Sequence, residues 1–121
     1  MKTKLFFIFL LLFCSFAANA QKLSFESFAM DPADLTARTH QVLDANGQPC
    51  ALVKVGLVVP GAKFEGYIVG EPKKQTSEYW VYLIDGAEYL EIQAPGYQTF
   101  TFDFPEPLKK SSTYRLVLFE K

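Results

Sequence analysis

The chain has one histidine and, past its first twenty residues, one cysteine. His40 and Cys50 could form a base–nucleophile pair, since such partners need only be neighbours in space. Neither sits in a recognisable catalytic motif, and a lone histidine near a surface is ordinarily structural or solvated. The same two residues cannot build a zinc site unaided, because structural zinc takes four protein ligands. Asp44-x-Asn46-Gly47 matches the start of a calcium loop. The later ligands and the closing glutamate are missing, so a β-turn is its plainer reading. Paired carboxylates for glycoside hydrolysis would have to come from Glu78, Asp85, Glu88 or Glu91. All four fall on or near one expected hairpin and read as solubilising charges. The expectation is a protein without a catalytic group, metal site or cofactor.

Aromatic residues are the stronger signal. Trp80, Tyr82 and Tyr89, flanked by Glu91, are expected on one outward face of that hairpin, and Tyr97 is a further exposed ring. Such rings can stack on a flat ligand such as a sugar, and Tyr and Trp are favoured at protein interfaces. They could equally be packed under the loop Glu71 to Ser77, or brace the hairpin by cross-strand pairing. Three uses therefore stay open: structural packing, an interaction surface and a small-ligand pocket.

Which elements must carry these residues follows from pattern. Lys2 and Lys4, the apolar run Leu5 to Phe16 and the small-x-small sequence Ala18-Asn19-Ala20 read as a signal peptide over residues 1–20. The apolar run is shorter than the roughly 20 residues of a membrane-spanning helix, and bulky Phe13 argues against a lipid anchor on Cys14. Cleavage after Ala20 would leave 101 of the 121 residues, one domain spanning 21–121. The formal charge is −1 over the whole chain and −3 once Lys2 and Lys4 are removed. That offers no basic footprint for nucleic acid and no polybasic patch for anionic lipid. With Cys50 alone in the mature part, no internal disulfide can form, and the domain must rest on its core. Cys50 is expected as a buried thiol at the start of a strand, the alternative being a bond to another chain.

The mature part is made of short runs of period two, separated by Gly, Pro, Asn and Asp, the pattern of an antiparallel β-domain. Strands are expected over Leu23 to Phe28, Ala51 to Val59, Tyr67 to Val69, Tyr97 to Phe104 and Tyr114 to Phe119. A single helical turn is expected near Asp31 to Ala37, with Asp31 capping and Pro32 in the first turn. Tyr79 to Ile92 reads as a hairpin about a type I′ turn at Asp85-Gly86. That register pairs Val81 with Leu90 and Tyr79 with Ile92, and puts Tyr79, Val81, Leu83, Leu90 and Ile92 on the core face. Phe100, Phe102 and Phe104 share one side of their strand, where burial of each contributes roughly 1.5–3 kcal/mol. The sum is an all-β antiparallel sandwich of about seven strands.

Val42-x-Asp44-x-x-Gly47-x-Pro49, followed by Ala51-Leu52-Val53-Lys54-Val55, resembles the opening of carboxypeptidase-regulatory-like (transthyretin-like) domains. Tyr89-Leu90-Glu91-Ile92-Gln93-Ala94-Pro95-Gly96-Tyr97 is similar to the ending of those domains and of PEGA-type domains, and Tyr114-x-Leu116-Val117-Leu118 resembles their last strand. The resemblance covers about Val42 to Phe119. More loosely, the mature region resembles N-terminal modules of exported proteins from Gram-negative gut anaerobes. It implies a non-catalytic Ig-like or prealbumin-like fold used for positioning, assembly or surface attachment, and it carries over no catalytic residue.

The expectation is thus an exported module, periplasmic or associated with the outer membrane or cell surface. It would bind another protein or an envelope component through the Trp80/Tyr82/Tyr89 face or an exposed edge strand. The alternative is a carbohydrate-binding module using the same rings. An enzyme would require a reactive Cys50.

Overall fold

The computed structural model describes residues 21–120. The signal-peptide reading of residues 1–20, with Cys14, lies outside the described residues. The described chain is an all-β sandwich of eight strands and one short helix. In order these are β1 (Leu23–Met30), α1 (Thr36–Thr39), β2 (Ala51–Gly56), β3 (Lys63–Glu65), β4 (Lys73–Lys74), β5 (Tyr79–Leu83), β6 (Tyr89–Gln93), β7 (Phe100–Asp103) and β8 (Thr113–Glu120). One sheet has the order β1-β8-β2-β5-β4 and the other β3-β6-β7. All pairs are antiparallel except β2 with β8, which run parallel.

The core lies between the sheets. Val53, Val55, Tyr79, Val81, Leu83, Leu116 and Leu118 enter it from the larger sheet, and Phe64, Leu90 and Ile92 from the smaller. Phe104 is buried, while Phe100 and Phe102 are partly buried against the same cluster. Alternation therefore predicts burial correctly on these strands.

The expected hairpin is not there. β5 and β6 belong to different sheets: Val81 pairs with Val53, and Leu90 with Phe102. Ala87 N donates to Ile84 O, so a tight turn does form, and Gly86 has φ +86°. Asp85 does not share a positive φ, which a type I′ turn needs at both central residues. The turn is instead tied sideways, with Ile84 N bonded to Tyr67 O and Gly86 N to Leu108 O. It carries the chain across the sandwich, so Val81 and Leu90 enter the same core from opposite sheets.

Four further elements differ from expectation. The helical turn starts at Thr36 rather than near Asp31, whose carboxylate accepts from Ala33 N in a local turn instead of capping a helix. Tyr67 to Val69 makes only a one-residue bridge, Ile68 with Leu83; the segment then kinks through Gly70 and Pro72 before pairing again as β4. Lys63–Glu65 forms a strand that was not anticipated. In β1 the register slips between Phe25 and Ser27. This bulge adds one residue, so Phe28 joins Phe25 on the inner face rather than falling with Ser24 and Glu26.

The turn at Asp44–Pro49 forms as read. Asp44 Oδ1 accepts from Asn46 N and Gln48 N, and Gly47 takes φ +78°.

Candidate functional site: the seam between β1 and β7

β1 is an edge of the larger sheet and β7 an edge of the smaller, and both edges lie on the same side of the sandwich. At one end the two segments are stitched together. Gln21 N donates to Gly96 O and Gln98 N to Gln21 O, in a parallel bridge. From there the backbones diverge, and aromatic rings fill the gap. Phe25 stacks on Phe102 with centroids 5.1 Å apart, and Phe28 lies 5.0 Å from Phe102 and 5.3 Å from Phe104. Phe28 also stacks on Tyr114, which reaches the seam from β8. Each such pair contributes about 0.5–1.5 kcal/mol beyond its buried area.

The seam is only part closed. Phe25 remains 47 % exposed and Met30 40 %. At the Met30 end a hollow of about 250 Å³ opens among Phe28, Met30, Pro105, Pro107 and Tyr114. Pro105 and Pro107 cannot donate to a ladder, so the chain leaves β7 as a wall rather than as more sheet.

The backbone of β1 is open along the same side. Asp31 N donates to Thr113 O, toward β8. Alternation in an antiparallel ladder then directs the N–H and C=O of Phe28 and Met30 away from β8. Before the bulge, Gln21 bonds to the 96–98 segment on the side away from β8, so Leu23 and Phe25, in the same phase, also face outward. Among the described residues no strand pairs with this side of β1. Edge strands are usually blunted by lysine, proline or brevity. β1 is eight residues long, contains neither lysine nor proline, and has Glu26 and one bulge as its guards.

The aromatic residues singled out from the sequence do not form one surface. Trp80 and Tyr82 lie together on the outer face of the larger sheet. Tyr89 lies on the smaller sheet, edge-on to Tyr67 at 5.3 Å, and Tyr97 sits in the turn after β6. The common face assumed a β5–β6 hairpin and goes with it. Tyr82 is 3 % exposed and packs with Ala37, Cys50 and Leu52 in a small second core, where its hydroxyl donates to His40 O at 2.6 Å. Burial pushes its phenol pKa up. Trp80 is half-buried against the same cluster, with the Lys54 ammonium 4.9 Å over its ring and the His40 imidazole edge-on at 5.9 Å. The covering layer is the segment from Asp34 to Val42 more than the Glu71–Ser77 loop, although Lys73 reaches to 5.9 Å from the Tyr82 ring. At Tyr97, the neighbouring Glu120 carboxylate pushes the phenol pKa up.

Lys54 is the residue that pattern reading passed over. It points out of β2 yet is buried, and its ammonium is 2.7 Å from Asp34 Oδ2 and 2.9 Å from Thr36 Oγ1. Arg115, one strand away, extends the network to Asp31, Asp34 and Glu78. Burial alone would raise the Asp34 pKa; hydrogen bonds from Lys54 and Thr36, with the charge of Lys54, reverse this and hold it at about 2. A lysine inside an otherwise apolar central strand was the signal, since a buried ammonium demands a partner.

The groups that chemistry would need sit on different segments of the chain. Cys50 is buried immediately before β2, and burial, aided by the charge of Asp44, pushes its thiol up. His40 directs its Nδ1 to Thr39 Oγ1. Glu78 leans toward Arg115, Asp85 accepts from Lys110 N, and Glu91 lies on the other sheet. Among the described residues no three His, Cys, Asp or Glu side chains converge as a metal site, and no helix is long and apolar enough to cross a membrane. No protein-family model, curated protein or solved structure matches the chain.

Proposed function

We propose that this chain is an exported, non-catalytic β-sandwich module that binds another protein, or a protein component of the cell envelope, through the open part of the β1–β7 seam. One observation carries the reading: an eight-residue edge strand presents half-exposed Phe25 and Met30 beside a largely apolar hollow and, among the described residues, has no partner strand on its outer side. Apolar rings at an unpaired edge invite a second chain. The resemblance to carboxypeptidase-regulatory-like and PEGA-type domains points the same way, since it implies positioning or assembly rather than catalysis. The sugar-binding alternative has less to stand on. Trp80 and Tyr82 are taken up by packing, and Tyr67 meets Tyr89 at 67°, offering an edge in place of a flat platform.

The test is capture from envelope extract of the source cells by wild type, Phe25→Asp and Tyr89→Ala, with thermal melts to confirm that each variant is folded. The expected result is a partner recovered by wild type and Tyr89→Ala and lost by Phe25→Asp. Equal recovery by a folded Phe25→Asp protein would remove the seam as the contact.

A further inference from the structure

We infer that the seam binds by strand addition: an extended segment of a partner protein, alternating apolar and basic residues, lies between β1 and β7 and takes up the outward hydrogen-bonding groups of β1. The inference rests on the functional reading above and specifies its mode and the chemistry of the occupant.

The backbone argument comes first. Phe25, Phe28 and Met30 direct N–H and C=O groups outward in two stretches on either side of the bulge. Side-chain contact alone would leave these groups to water; an added strand pairs them. The direction of the two segments suits such a strand. The two segments run side by side in the same direction, joined at Gln21–Tyr97 and separated further along by rings rather than hydrogen bonds. An extended segment there would place every second side chain against Phe25, Phe28 and Phe102. One of them would reach the hollow of about 250 Å³ by Met30, room for an aliphatic or aromatic side chain.

Charge then selects the other face of the segment. Glu26, Asp103 and Glu106 are exposed along the open length, and none belongs to an ion pair among the described residues. Lys109 is the one cation lining the hollow, Arg38 borders a separate hollow past Met30, and Lys22 lies back at the stitched end. Three carboxylates against one ammonium favour Lys or Arg at the outward positions of the bound segment and disfavour Asp or Glu. A second copy of β1 fits less well, because its only charged residue is another glutamate.

The experiment tethers a defined probe to the chain beginning at Gln21, which holds the whole described fold. A seven-residue segment of alternating Lys and Val is attached after Lys121 by about 15 Gly and Ser residues, whose root-mean-square reach is on the order of 20 Å. Glu120 pairs with Leu23, so the tether starts beside β1 and holds the probe near it at about millimolar effective concentration. The control carries Glu in place of Lys. Amide hydrogen exchange is read by NMR at Phe25, Phe28 and Met30. The expected result is exchange slowed at least ~10-fold by the Lys–Val segment and little by the Glu–Val segment. In the double variant Glu26→Lys, Asp103→Lys the preference should reverse.

Unprotected amides with the Lys–Val segment overturn strand addition. If Phe25→Asp has still lost its partner, the contact is side-chain docking and the functional reading stands. Equal protection by both segments overturns the charge selection. Protection together with undiminished capture by Phe25→Asp leaves the edge able to accept a strand and sinks the functional reading alone. Protection of the same amides in an untethered chain that sediments as a dimer gives the edge to a second copy and overturns the partner segment.

Discussion

Replacing Asp34 with alanine strips the Lys54 ammonium of its carboxylate while keeping it buried. Lys54 is 7 % exposed and the Asp34 side chain 11 %. After the change the ammonium retains only Thr36 Oγ1, 2.9 Å away, and the cation–π contact with Trp80 at 4.9 Å. Asp34 also holds its own loop by accepting from Thr36 N and Thr36 Oγ1, and it neutralises Arg115 at 3.4 Å. Removing one partner of a buried pair costs about 3–5 kcal/mol, because the other charge is left uncompensated. A domain of this size is stable by about 5–15 kcal/mol, so Asp34→Ala should lose a large part of its margin. The melting temperature should drop by more than ~10 °C. The double variant Asp34→Leu, Lys54→Met buries no charge and should recover most of the loss.

The same pair sets a pH signature with a definite sign. Lys54 and Thr36 hold the Asp34 carboxyl at about 2 in the folded chain, below its ordinary value of 3.8. A depressed carboxyl contributes stability that is fully present above the unfolded value and is lost as pH falls through the folded one. The window is therefore from about pH 4 down to about pH 2. The shift corresponds to about 1–2 kcal/mol, allowing for the sliver of carboxylate that stays wet. Trp80 is the only tryptophan and lies under the ammonium, so its fluorescence during urea unfolding reports the transition beside the perturbation. Midpoints would be measured from pH 6 to pH 2 for wild type and Asp34→Ala, with the variant expected to show a shallower fall between pH 4 and pH 2. A loss below about 1 kcal/mol at neutral pH, or an identical acid slope in both proteins, would refute the assignment of Lys54–Asp34 as a buried, coupled pair.

Three other outcomes follow from the packing. Tyr82→Phe should lower stability by about 1 kcal/mol by leaving the His40 carbonyl without its 2.6 Å donor; a neutral urea midpoint would mean the bond is not maintained in solution. Cys50 should resist a disulfide-exchange reagent in the native state and react only in denaturant, since burial both covers the thiol and suppresses the thiolate. Prompt labelling of the folded chain would reopen the enzymatic reading. Gly66→Ala should cost about 1–3 kcal/mol, because Gly66 sits at φ +97° and an added Cβ would lie 2.9 Å from Tyr89 Cε2 and 3.3 Å from Tyr89 O. The ring can swing aside and the carbonyl cannot, so a midpoint within ~0.5 kcal/mol of wild type would show that this turn is looser than drawn.

Burial and partnership are separate kinds of information, and a sequence carries the first far better than the second. The alternation of Tyr79, Val81 and Leu83, and of Leu90 and Ile92, marks which side chains turn inward whatever strand lies alongside, and all five are buried. Asp85-Gly86 fits a hairpin as well as a crossing between sheets. The choice is made by Ile84 N finding Tyr67 O and Gly86 N finding Leu108 O, bonds to residues 17 and 22 positions away. Once β5 and β6 separate, a shared Trp80/Tyr82/Tyr89 face has no backbone to stand on. The edge at β1 was hidden for a related reason. Strict period two throws Phe28 onto the side of Glu26, and only a bulge, which pairing with β8 imposes, returns it to Phe25. The three rings Phe100, Phe102 and Phe104 then divide between the core and the seam. Phe104 is buried in the interior, while Phe102 meets Phe25 and Phe28 across the seam between the two edges.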